Sequence, residues 1–170
     1  SYLSSIPNMH IMAPKNKWEL SDMMKFAVDF GAPIAVRYPR GEAFAQLKEF
    51  RAPVELGKAE LLYAEGDVCL MAVGSMVKTA LEVKELLKEQ GIGCSIINAR
   101  FVKPIDEEAV KWASENHKLV VSMEENVASG GYGEKVRAYL HSLNTQAKFI
   151  QVAIPDEYVE HGNVELLKKE

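Results

Sequence analysis

Val68-Cys69-Leu70-Met71-Ala72-Val73 is an almost unbroken apolar run, and together with the residues after it this run decides the fold. A strand covered on both faces reads this way. After Gly74, Ser75 stands where a helix N-cap belongs, and Met76, Ala80, Val83 and Leu87 recur on one helical face. Gly91 and Gly93 bracket the end of that helix, and residues 94–98 form a second apolar strand. Strand, helix and strand in this span make a βαβ unit, whose strands run parallel. Toward the carboxyl end the alternation continues. Asp106, Glu107 and Glu108 come after Pro104 and place acids in a helix's first turn, where the macrodipole favours them. Residues 119–123 read as a strand; Gly130, Gly131 and Gly133 precede a helix carrying Val136, Tyr139 and Leu140; residues 149–153 read as the last strand. Residues 57–64, ahead of the Glu65-Gly66-Asp67 turn, read as an edge strand.

Toward the amino end, residues 10–13 form a short strand closed by Pro14. Asn16 caps a helix, with Glu19 placed to complete a capping box, and Leu20, Met23, Met24 and Ala27 supply its apolar stripe up to Gly31. Residues 33–38 form the next strand. Two strands and one helix cannot bury their own faces, so this lobe reads as the second half of a domain. The polar stretch from Glu42 to Val54 reads as a linker. The expectation is an α/β protein: an incomplete half-domain over residues 1–47, a linker over 48–56 and a complete domain with a mostly parallel sheet over 57–170.

Composition narrows the function. Hydrophobic residues are 48% of the 170, enough for a core, and the net charge of -4 comes with lysines scattered among acids. That pattern does not suit a nucleic-acid partner. No apolar run approaches the roughly 20 residues of a membrane helix. The opening Ser1-Tyr2-Leu3-Ser4-Ser5-Ile6-Pro7 has no basic region ahead of an apolar one, so no secretion signal is expected and a cytoplasmic protein is the default. Cys69 and Cys94 both lie in strand-like runs and read as buried, reduced thiols.

The chemistry centres on Pro33-Ile34-Ala35-Val36-Arg37-Tyr38-Pro39-Arg40-Gly41. Pro39 stops the strand and leaves Arg40 on a stiff turn at its carboxyl end, where ligands of α/β sheets bind. A guanidinium there suits phosphate or carboxylate; a surface arginine pairing with an acid at a domain interface is the competing reading. Arg37 reads as structural, buried beside a carboxylate. Ser129-Gly130-Gly131-Tyr132-Gly133 opens a helix and offers amides to an anion, but it matches no nucleotide-binding fingerprint, and close backbone packing explains it as well. Glu124 and Glu125 come directly after a strand but point to opposite sides, so they are not a catalytic dyad. Hydrogen bonding to a neighbouring turn or subunit is their expected use. The four histidines have no metal-ligand spacing, and His161 sits in a loop before a terminal helix, read as a turn residue.

Several segments together go further. Pro7-Asn8-Met9, Ile11-Met12-Ala13-Pro14 and Ala35-Val36-Arg37-Tyr38-Pro39-Arg40-Gly41 resemble the end of the pyrimidine-binding domain of the 1-deoxy-D-xylulose-5-phosphate synthase family. Arg100-Phe101-Val102-Lys103-Pro104-Ile105-Asp106, Glu124-Glu125-Asn126 with Gly130-Gly131-Tyr132-Gly133, and Ile154-Pro155-Asp156 with Glu160-His161-Gly162 are similar to its transketolase-type carboxy-terminal domain. The resemblance spans the chain. It implies a thiamine-diphosphate and Mg²⁺ transferase that condenses pyruvate, with loss of carbon dioxide, onto glyceraldehyde 3-phosphate, and in which Arg40 holds the substrate phosphate. The family's magnesium motif, its cofactor-activating glutamate and its His-Gln-Gly segment have no counterpart here. The resemblance therefore implies a carboxy-terminal portion, inactive by itself, that works with a missing amino-terminal portion in a homodimer. A free-standing anion-binding or regulatory module and one subunit of a split enzyme are the alternatives.

Overall fold

The computed structural model describes residues 9–38, 45–125 and 131–154. In chain order the elements are β1 (His10–Met12), α1 (Lys17–Asp29), β2 (Ile34–Val36), β3 (Glu60–Tyr63), β4 (Val68–Ala72), α2 (Met76–Glu89), β5 (Cys94–Asn98), β6 (Phe101–Lys103), α3 (Glu107–Asn116), β7 (Leu119–Glu125), α4 (Tyr132–Leu143) and β8 (Lys148–Ile154). They build an α/β fold with two sheets, ordered β3-β5-β4-β7-β8 and β2-β1-β6. In the larger sheet β5, β4, β7 and β8 are parallel and the edge strand β3 is antiparallel.

Side-chain alternation along β4 distributes the core. Cys69, Met71 and Val73 face α3 and α4, where Val110, Ala113, Tyr132, Val136 and Leu140 close the layer. Leu70 and Ala72 face α2, met by Met76, Val77 and Ala80. Val83 and Leu87 flank that second cluster, so the stripe expected of α2 is the face it buries. Full burial of such side chains contributes about 1.5–3 kcal/mol each. The chain reverses tightly between β3 and β4. Gly66 there has φ +70°, and a Cβ on it would fall 2.1 Å from the carbonyl oxygen of Gly93, so only glycine fits.

The smaller sheet holds a strand that its sequence did not announce. Phe101–Lys103 pairs antiparallel with β1, Met12 opposite Phe101 and Ile11 opposite Lys103. Three residues are too few for a period to show, which is why β6 escapes a pattern reading. Its effect is large: β1 lies between β2 and β6, and Met12, Met23 and Phe101 form a small core of their own. The stretch read as a linker is also packed. Leu47 is buried against the α2 face with Phe50 beside it, and the carbonyls of Ala52 and Pro53 accept from Arg100. In α1, Met23 is fully buried, but Met24, expected in the same stripe, is 58% exposed.

Candidate functional site

The carboxyl ends of both sheets converge. Gly74, just after β4, has φ +55° and approaches β1 so closely that an added Cβ would lie 3.2 Å from that of Ala13. The amide of Ala13 donates to the carbonyl of Arg100 at 2.7 Å, and the amide of Arg37 donates to that of Met12 at 2.8 Å. Arg37, immediately past β2, therefore stands at the same edge as Glu124 and Glu125 at the end of β7. Burial pulls the Arg37 guanidinium below its ordinary value, and the Glu124 carboxylate opposes that pull. The carboxylate expected beside Arg37 is Glu124, while the residue itself is half-buried where the sequence reading had it buried.

Glu124 is 1% exposed. Its Oε1 accepts from the Tyr132 amide at 3.0 Å and its Oε2 from the Gly133 amide at 2.6 Å. It thus caps α4 with a charge, where the N-terminal dipole favours one. A Cβ on Gly133 would strike the Gln151 side chain at 2.7 Å, so this glycine also serves close packing with β8. The two amides considered for an outside anion are already taken by a carboxylate of the chain itself. Glu125 points the other way and accepts from the Ser75 hydroxyl at 2.6 Å. Ser75 makes no side-chain cap on α2, contrary to expectation, because its hydroxyl is spent on that carboxylate. Around Glu124 lie further cations. Burial holds Lys135 below its usual range, helped by Lys103 and Arg37 and countered by Glu124 and Glu134.

Behind this edge sits a buried ion network in which sequence reasoning foresaw only Glu19, and that as half of a capping box. Asn16 does cap α1, its Oδ1 accepting from the Glu19 amide at 2.8 Å. Glu19 does not reach back to Asn16. Its Oε1 accepts from the Lys15 amide at 2.8 Å, and its Oε2 from Lys15 Nζ at 3.1 Å and Arg100 Nε at 2.7 Å. Glu60 on β3 accepts from Lys15 Nζ at 2.8 Å and from the Ala52 amide at 3.1 Å, with Arg100 Nη2 at 3.5 Å. Asn98 Nδ2 bridges both carboxylates. Burial by itself raises the Glu60 carboxyl, but hydrogen bonds from Lys15, Ala52 and Asn98 and the charge of Arg100 bring it below 4.5. The sequence carried a signal: Glu60 opens one apolar strand and Asn98 closes another, and polar residues that are buried there need partners.

Arg40, Ser129, Gly130 and His161, all weighed as site residues or neighbours of one, lie outside the described residues. Among the described residues no three His, Cys, Asp or Glu side chains group to hold a metal ion. The acids at the edge are committed to Tyr132, Gly133 and Ser75, so the described part of the site does not fit Mg²⁺ or a magnesium-bound diphosphate. Burial pushes the Cys69 thiol up to about 12 and the Cys94 thiol up to about 11, which leaves both as inert core groups. A groove of about 440 Å³ runs between α1 and residues 51–54, lined by Asp22, Lys25 and Arg51, away from the converging strand ends.

A mostly parallel sheet covered by helices on both faces, with a charged junction at its carboxyl edge, defines an α/β domain. Residues 57–170 match the family model for the transketolase carboxy-terminal domain. The chain belongs to the transketolase family through that domain. It is 42% identical to a 1-deoxy-D-xylulose-5-phosphate synthase of Lachnoclostridium phytofermentans over 99% of its own length and 27% of the relative's. It is 45% identical to the synthase of Clostridium acetobutylicum, covering 99% of this chain and 28% of that one. The chain spans roughly a quarter of these curated relatives, matching a carboxy-terminal region. Among solved structures, a split-gene transketolase described as an inactive β4 tetramer superposes with a TM-score of 0.78 at 25% identity, over 91% of this chain and 51% of that one. A Pichia stipitis transketolase shares the fold with a TM-score of 0.63 at 17% identity, over 90% of this chain and 21% of its own.

Proposed function

We propose that this chain is the carboxy-terminal portion of a 1-deoxy-D-xylulose-5-phosphate synthase. The observation that carries the reading is end-to-end similarity, at 42% and 45% identity, to relatives of that name of which it spans about a quarter. The complete enzyme would condense pyruvate with glyceraldehyde 3-phosphate and release carbon dioxide, in the cytoplasm and as a homodimer. Thiamine diphosphate and Mg²⁺ would be held by the upstream portion; no step of that chemistry runs through the described residues. In this reading residues 1–47 complete the pyrimidine-binding domain, 48–56 connect, and 57–170 form the transketolase carboxy-terminal domain. The chain alone is inactive.

Arg40 is the residue proposed to hold the phosphate of the aldehyde substrate. A planar fork of donors gives bidentate contacts to a dianion, and losing such a charged contact costs about 1.5–3 kcal/mol. In the full-length enzyme Arg40→Ala is expected to raise the KM for glyceraldehyde 3-phosphate about tenfold or more. An unchanged KM would refute the assignment. The chain by itself is expected to show no heat of binding with thiamine diphosphate and Mg²⁺ in calorimetry, and tight binding would overturn the fragment reading.

A second reading has one observation in its favour: the solved neighbour with a TM-score of 0.78 is described as a split-gene transketolase. Here the missing half would be a separate polypeptide. The reading frame upstream of Ser1 separates the two. Continuation into a His-Gln-Gly segment supports a single chain; a stop and a new start support a split enzyme.

A further inference from the structure

At the amino edge of the larger sheet, opposite the converging strand ends, a buried serine and a buried histidine meet that the proposed function does not use. Ser95 on β5 is fully buried, and His117, the C-cap of α3, is 8% exposed. Ser95 Oγ lies 2.7 Å from His117 Nε2. The Glu65 amide donates to the same oxygen at 2.8 Å, and that oxygen stands 2.9 Å from the Glu65 carbonyl. On the far side of the ring, Nδ1 lies 2.8 Å from the Ala113 carbonyl. These short contacts link the last turn of α3 to the Glu65-Gly66-Asp67 turn between β3 and β4.

The protons available decide which of these contacts are hydrogen bonds at one time. A carbonyl only accepts, so Nδ1 carries a proton whatever the charge of the ring. A hydroxyl has one proton to give, and a neutral ring sets two acceptors in competition for it, Nε2 and the Glu65 carbonyl. Nε2 is the nearer and takes the proton, which leaves the Glu65 carbonyl without it. A charged ring reverses the arrangement. Nε2–H then donates to Ser95 Oγ, the hydroxyl turns to the Glu65 carbonyl, and every contact in the chain is filled. The charge also stands at a helix C-terminus, where the dipole favours a cation.

The neighbouring groups keep fixed charges while the ring changes its own. Trp112 of α3 packs edge-on to the imidazole, with centroids 5.2 Å apart. Cys69 of β4, in register with Ser95, and Cys94 beside it stay neutral, their thiols pushed up to about 12 and about 11. Of the turn's acids, Glu65 pairs with Lys84 of α2, which holds its carboxyl below the ordinary value. Asp67 lies 3.7 Å from Lys118, and its carbonyl accepts the Lys118 and Leu119 amides, so the turn also anchors the start of β7. Imidazole is the side chain that ordinarily changes charge between about pH 5 and 8. We infer that Ser95 and His117 form a proton-operated latch on the Glu65-Gly66-Asp67 turn: the charged ring clasps Glu65 by amide and carbonyl, the neutral ring by the amide alone.

Nuclear magnetic resonance of the chain tests the latch. Between about pH 5 and 8 the His117 ring is expected to pass from two protonated nitrogens to Nδ1 protonated alone. The Gly66 amide shares a peptide group with the Glu65 carbonyl, so its nitrogen shift is expected to move with the same midpoint. The Glu65 carboxyl titrates below that window and does not mimic the transition. In His117→Gln, neutral throughout, the Gly66 transition is expected to vanish. In Ser95→Ala the ring still titrates and Gly66 no longer follows it. A Gly66 transition that survives His117→Gln, or a ring that titrates in the native chain with Gly66 unmoved, would overturn the inference. So would a neutral ring protonated on Nε2 in place of Nδ1, or a ring that keeps one charge across the window while the chain is folded. Those ring measurements need no variant, so they decide the matter even where a substitution unfolds the chain.

Discussion

Lys15→Met is the sharpest test of the buried network. Lys15 is 2% exposed and its ammonium meets Glu19 Oε2 at 3.1 Å and Glu60 Oε1 at 2.8 Å. Lys15 and Arg100 balance Glu19 and Glu60, two cations against two carboxylates. Methionine nearly matches lysine in length, so packing is kept and only the charge is lost. Two buried carboxylates would then share one guanidinium, and stranding a buried charge in this way costs about 3–5 kcal/mol. For a chain of this size that corresponds to a fall in Tm of about 6–20 °C. Urea unfolding monitored by the fluorescence of Trp18 and Trp112 measures the loss. Adding Glu60→Gln restores neutrality, so the double variant should recover about 1–3 kcal/mol relative to the sum of the single changes. The pH dependence supplies a second check. The folded carboxyl of Glu60 lies below 4.5, so its contribution is present above that value and is lost as pH falls through the folded pKa. The deficit of Lys15→Met should therefore be largest at neutral pH and shrink in acid. A loss below about 1 kcal/mol at neutral pH, with no coupling to Glu60→Gln, would refute the reasoning.

Glu124→Gln leaves one acceptor facing two amides at the start of α4 and removes the charge opposite Arg37; it should cost about 2–3 kcal/mol in urea unfolding, and a loss within about 0.5 kcal/mol would show that the carboxylate is dispensable. Cys69 and Cys94, with thiols pushed up to about 12 and about 11, should resist a thiol reagent in the native chain and react once it unfolds. Because unfolded thiols ionise near 9, stability should also fall as pH rises above that value, and rapid labelling of the native chain would contradict the burial.

Much of this protein was legible from local pattern. The apolar run of β4, the stripe of α2 and the acids opening α3 each encode one element within a dozen residues, because burial on two faces, helical periodicity and the dipole act locally. The Asn16 cap was legible for the same reason. Met24 was misplaced because a stripe of four apolar positions is wider than the face that α1 buries. Ser75 was misassigned because a competitor for its hydroxyl, Glu125, stands 50 residues away.

The sequence by itself therefore determined the order and kind of the elements other than β6 and, through whole-chain resemblance, the family. Tertiary structure alone decided that β6 belongs to the sheet of the amino-terminal lobe and that Lys15, Glu19, Glu60, Asn98 and Arg100 meet, as they do across as many as 81 residues of sequence. It alone gave Glu124 to the amides of α4. The physical reason is the same in each case: a charge leaves water only where several distant partners arrive together, and no local period records that meeting.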